Sequence, residues 1–152
     1  MPAVFPDEIE IQVFADSGGA MLVGAIEFVS PANKDRLQTR LAFAAKCASY
    51  LSAGIGLIVV DVVTERLANL HNELIDLLHQ DERFRFPANT SLYASAFRPA
   101  RRQSGDVIDL WLAPLTIGRP LPMLPLALRN GPCLPIDLEG TYMEARARSR
   151  LS

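Results

Sequence analysis

Residues 55 to 63 read Ile-Gly-Leu-Ile-Val-Val-Asp-Val-Val, a nearly continuous apolar run rich in β-branched side chains. Successive strand residues point to opposite faces, so a strand that is apolar throughout must be covered on both of them. That places this strand inside an α/β domain, with Asp61 near its end. The run is far shorter than the roughly 20 apolar residues that span a bilayer, so no membrane partner is expected.

The preceding segments supply neighbours and cover for such a strand. Ile9 to Phe14 alternates β-branched and polar residues and predicts a strand with one wet or functional face. Gly18 and Gly19 suit a tight hairpin turn, and Ala20 to Val29 predicts the returning strand, more apolar and with Glu27 as its only charge. Ser30 to Asn33 offers helix caps, with Pro31 fitted to a first turn. A helix is predicted from about Asp35 to Leu51, with Leu37, Leu41, Ala44, Ala48 and Leu51 in a stripe widened by Phe43, Cys47 and Tyr50. A second helix is predicted from Thr64 through His79, where leucines repeat at helical spacing. Strands are expected at Ser91 to Phe97 and Val107 to Leu112, joined by a polar loop from Arg98 to Asp106.

Beyond that pair the composition changes. Six of the 11 prolines lie between Pro114 and Pro135, a density that opposes helix and interior strand and predicts an extended arm lying across an apolar surface. Asp137 caps a short last helix from Leu138 towards Arg148.

A chain of 152 residues with 49% apolar and 21% charged residues has an ordinary single-domain composition and is long enough to fold without staples. Cys47 and Cys133 form neither a disulfide framework nor a zinc cluster, and Met1 to Glu8 has no signal-peptide character, so a reducing cytoplasm is the expected compartment. The net charge of −2 is unevenly placed: residues 1–90 carry −5 and residues 91–152 carry +3. That excess, with Arg98, Arg101 and Arg102 close together, is too small for a strong sequence-independent nucleic-acid binder. Nucleic acid therefore stands as a weakly supported partner.

Glu27 is the residue where chemistry is expected first. A carboxylate inside an apolar strand needs a partner, a metal or a raised pKa. Hairpin pairing sets Glu27 opposite a residue near Glu8 to Glu10, and two acids sharing a face could hold magnesium for phosphodiester hydrolysis. The alternative is a strand-end carboxylate reaching water or a helix N-terminus, and a register shift of one residue would turn the pair apart. Lys46, about 40° around the helix from Tyr50, can fold over the sheet towards Glu27 or point to solvent. Cys47 belongs to packing, and His71 and His79 are expected at the surface, too far apart around their helix to share a metal. No Gly-rich phosphate loop, zinc motif or serine nucleophile elbow is present.

The segment Glu27-Phe28-Val29-Ser30-Pro31-Ala32-Asn33-Lys34 resembles the E-x-L-S-P-x-N-K segment of the family called domain of unknown function 4058. In that family a helix with a lysine, a glycine and an apolar strand ending in Asp follow, here Lys46, Gly54 and Leu57 to Val60 with Asp61. Arg119 to Leu128 is similar to the family's P-L-P-x-I-P-I-P-L arm, and Leu134-Pro135-Ile136-Asp137-Leu138 to its V-P-L-D-L. The first half also resembles the restriction-endonuclease-like PD-(D/E)XK superfamily, whose core has an acid on one strand and E-x-K on the next. Val29 stands where that lysine would be, leaving Lys46 as its relocated substitute.

The expected fold is α/β: a mixed β-sheet flanked by helices, with a restriction-endonuclease-like core shortened at its N-terminus, a Pro-rich C-terminal arm and a short last helix. Residues 1–113 form the α/β unit, and residues 114–152 form the arm and last helix packed on it. The resemblance implies a non-catalytic or degenerate nuclease-fold interaction domain. The alternative is a magnesium-dependent nuclease in which Glu27 and Glu10 (or Glu8) hold the metal and Glu27 and Lys46 are catalytic. An uncovered sheet edge or the apolar arm predicts a homodimer.

Overall fold

The computed structural model describes residues 9–16 and 18–151, so Glu8 lies outside the described residues. Strands β1 (Ile9–Ala15) and β2 (Met21–Phe28) form the expected antiparallel hairpin, and Gly18 and Gly19 adopt φ of 79° and 115° in its turn. The Ser30–Asn33 capping box starts a one-turn helix α1 (Pro31–Asp35), and the chain bends at Arg36 into α2 (Leu37–Ser52). The buried stripe of α2 is Phe43, Ala44, Cys47 and Leu51, whereas Leu37 and Leu41 are exposed on the first turns. Strand β3 (Gly56–Asp61) is buried at every position and runs parallel to β2, as a strand reached through a crossover helix should.

Helix α3 covers only Leu70–Leu77. The expected start at Thr64 is too early. Asn69 provides the cap, accepting from Asn72 N, and Leu67, which falls within the expected helix, is 82% exposed. Strands β4 (Tyr93–Arg102) and β5 (Gly105–Pro114) continue through the stretch expected to be a loop and reduce it to a tight turn at Gln103 and Ser104. Pro99 is tolerated inside β4 because β3 stops pairing at Phe97, so no neighbouring carbonyl needs the missing N–H. The main sheet has the order β1-β2-β3-β4-β5, mixed in direction.

The Pro-rich segment is not a single extended arm. It contains an antiparallel ribbon of β6 (Met123–Ala127) and β7 (Cys133–Asp137), in which Pro125 directly opposes Pro135. Leu128 N donates to Pro132 O, which fixes the phase of the ladder so that both prolines occupy a non-hydrogen-bonded pair and neither lacks a needed donor. Helix α4 (Leu138–Leu151) follows and is longer than expected.

Three layers result, because β3 alternates its side chains between two cores. Leu57 and Val59 join Ala25, Phe43, Cys47, Leu70, Leu74 and Phe97 beneath α2 and α3. Ile58 and Val60 join Ile26, Phe28, Ala96, Leu126 and Leu138 beneath the ribbon and α4. The ribbon lies so close that a Cβ on Gly56 would stand 1.8 Å from Ala127 O. Glycine is therefore the residue that this crossing permits. Among the described residues no helix is long and apolar enough to cross a membrane.

Candidate active site

The hairpin register makes Glu10 the direct partner of Glu27. Ile9, Ile11 and Val13 pack into the ribbon-side core, so Glu10 and Gln12 point to the opposite face, under α2. Two residues on a strand and four on a helix advance by similar distances, about 6–7 Å. Lys46 and Tyr50 of α2 therefore match Glu10 and Gln12 of β1 one for one. Lys46 Nζ lies 2.8 Å from Glu10 Oε2 and 3.1 and 3.2 Å from the two oxygens of Glu27. Gln12 Nε2 donates to the Tyr50 hydroxyl at 3.3 Å.

Burial is graded across this cluster. The side chains of Glu10 and Lys46 are each 38% exposed, whereas that of Glu27 is 4% exposed. Burial pushes the Glu27 carboxyl up to about 7 against the opposing pull of Lys46, and Glu10 adds to the rise. Glu10 is held below the usual carboxylate range by its hydrogen bond to Lys46. Burial alone would lower Lys46, but the hydrogen bond to Glu10 and the charge of Glu27 hold it above its ordinary value. Burial raises the Tyr50 hydroxyl as well.

Two carboxylates share one ammonium, so with both acids ionised the cluster is one positive charge short. Glu27 Oε1 lies 3.1 Å from Lys46 Nζ as an ion pair without hydrogen-bond geometry, and accepts no hydrogen bond from the described residues. A hard divalent cation takes oxygen ligands and keeps several waters, and two carboxylates are ligands of that kind. Among the described residues no third Asp, Glu, His or Cys joins the pair in a three-ligand cluster.

A fully buried ion pair lies away from this cluster. Lys34 Nζ pairs with Asp61 Oδ2 at 2.9 Å with neither side chain exposed, and Val63 N donates to Asp61 Oδ1. Burial pushes the Asp61 carboxyl up to about 6 despite Lys34. Thus Lys34 and Asp61 tie α1 to the end of β3.

His71 is not at the surface as expected: it is fully buried, with Nδ1 3.1 Å from Ser95 Oγ and Nε2 2.8 Å from Phe84 O. Its position on the inner face of the short α3 and its edge contact with Phe86 explain the burial, which pushes its pKa down to about 4. His79 is exposed, and Cys47 is buried packing as expected.

Gln12 and Tyr50 were not singled out from the sequence. The signal that could have found them is the matched pattern of Glu10 with Gln12 and Lys46 with Tyr50. Compared with known protein families, with curated proteins and with solved structures, the chain matches none.

Proposed function

We propose that this chain is a metal-dependent phosphodiesterase domain of the restriction-endonuclease-like kind, acting on nucleic acid through Glu10, Glu27 and Lys46. The observation that carries this reading is the charge shortfall: two opposed carboxylates, one deeply buried, with a single ammonium between them. Like charges directly opposite on a sheet destabilise it, and Lys46 offsets only one of them. A bound magnesium or manganese ion would supply the second positive charge, polarise a phosphoryl oxygen and acidify a water ligand.

The roles of the chain's own residues follow from their exposure. Glu27, fixed in β2, and Glu10, at the solvent side, would hold the ion between them. Lys46 sits on a flexible four-carbon stem at the cluster's open side, where it can move from the acids to the charge that develops on a phosphate. Gln12 and Tyr50 hold α2 and β1 together one step further along. The resemblance to the domain of unknown function 4058 family supports Glu27 and Lys46 among these residues.

A second reading is favoured by a specific observation. Lys46 already bridges both carboxylates at hydrogen-bond distance, and Val29 replaces the strand lysine, so the cluster can serve as a structural tie in a non-catalytic interaction domain. Manganese-dependent cleavage of DNA and RNA separates the two. Cleavage that is abolished in Glu27→Gln supports the enzyme. No cleavage by a folded wild-type chain, or equal cleavage by the variant, leaves the interaction domain.

A further inference from the structure

We propose that the free edge of β5 pairs with the β5 edge of a second copy of this chain, in antiparallel register about Leu110, joining two five-stranded sheets into one. The hydrogen-bond phase supplies the first argument. Leu115 N donates to Leu92 O, so the odd-numbered residues of β5 turn their main chain towards β4. Asp106, Ile108, Leu110 and Leu112 therefore present their N–H and C=O groups outward, and among the described residues no strand meets them. A two-fold axis at Leu110 pairs Ile108 with the second copy's Leu112 and engages every one of these outward N–H groups. Pro114, which has none, falls opposite Asp106 at the ends, where only its carbonyl is needed.

Side chains match the same register. Ile108, Leu110 and Leu112 share the helix-side face, and Ile108 and Leu112 are 40% and 38% exposed although both are large and apolar. Self-pairing sets these residues against one another in a continuous apolar stripe. The stripe extends a cleft of about 1020 Å³ that Ile108 and Leu110 line together with Leu78, Phe84 and Phe97, where the helices leave the sheet uncovered. On the other face Asp109 meets the second copy's Trp111. That contact buries no lone charge, because Arg98 and Arg102 already hold Asp109 at 2.6–3.0 Å and Arg98 lies 5.8 Å over Trp111.

Between Val107 and Ala113 the edge has few of the devices that keep strands apart: it holds no lysine, no proline and no bulge, and its one charge, Asp109, is already paired with Arg98 and Arg102. β1, at the opposite side of the sheet, has a bulge between Val13 and Phe14. A second copy is the occupant because the segment is complementary to itself: no like charges face each other in this register.

Light scattering at tens of micromolar should give twice the 16.7 kDa chain mass, and Ile108→Lys with Leu112→Lys should return it to the single mass with circular dichroism unchanged. Hydrogen exchange on the wild-type chain is the second measurement and needs no variant. The amides of Ile108, Leu110 and Leu112 should be protected and should lose that protection on dilution. A wild-type chain of single mass with these amides exchanging freely would overturn the proposal, and so would a dimer that persists in the folded double variant.

Discussion

Glu10 and Glu27 face each other directly across the β1–β2 pair, and Lys46 reaches both from α2. Three elements thus deliver three charges to one point, on the side of the sheet that the two central helices cover. The burial gradient makes Glu27 the fixed member and Lys46 the movable one.

The first prediction is a pH dependence. Glu27 is raised from 4.5 to about 7 by burial, so between those values the folded chain retains a proton that the unfolded chain has released. Its contribution is therefore fully present below about pH 4.5 and is lost as pH rises through about 7, by about 3 kcal/mol in all. Asp61 acts in the same direction between 3.8 and about 6, and buried His71 acts oppositely between 6.5 and about 4. The difference between wild type and Glu27→Gln isolates Glu27. Urea titrations across this range should show the variant gaining on wild type as pH rises, and a constant difference would refute the assignment.

The buried pair Lys34–Asp61 predicts a strong non-additivity. Removing one charge strands the other inside the protein, so Lys34→Met or Asp61→Leu alone should cost about 3–5 kcal/mol, while the double change recovers much of the loss. Denaturant midpoints of the four chains measure this directly. Additive losses would show that the two side chains do not depend on each other.

Packing of the ribbon on the sheet gives a third prediction from two neighbouring glycines. A Cβ at Gly56 would strike the Ala127 carbonyl, a backbone atom, whereas one at Gly24 would meet only the ends of the Leu126 and Leu128 side chains, at 3.0 Å or more. Gly56→Ala should therefore destabilise the fold by about 3 kcal/mol or more, in the range of severe overpacking, and Gly24→Ala by clearly less. Comparable thermal midpoints for the two variants would contradict the crossing of β6 over β3.

What could be read from the sequence divides along physical lines. The hairpin, α2 and β3 rest on local signals: a Gly-Gly turn, a four-and-three stripe, an unbroken apolar run. Glu27 stood out because a charge in an apolar strand is costly wherever the strand lies. The sequence leaves Lys46 between sheet and solvent, because its direction depends on how α2 rolls on the sheet, which tertiary packing decides. The burial of His71 is not legible in the sequence, because it depends on Ser95 and Phe84, which are distant along the chain. The leucine spacing before Leu70 suggested a longer helix, but the Asn69 cap set its start. The prolines did exclude an interior strand, yet a two-stranded ribbon with Pro125 opposite Pro135 satisfies the same constraint.

Calorimetric titration of manganese into the folded chain measures whether the Glu10–Glu27 pair takes a divalent cation. One binding site per chain is expected, lost in Glu27→Gln, with an affinity that rises with pH through about 7 as the Glu27 proton leaves. Absence of binding by the wild-type chain above pH 7, or undiminished binding by Glu27→Gln, would contradict a metal site at this pair.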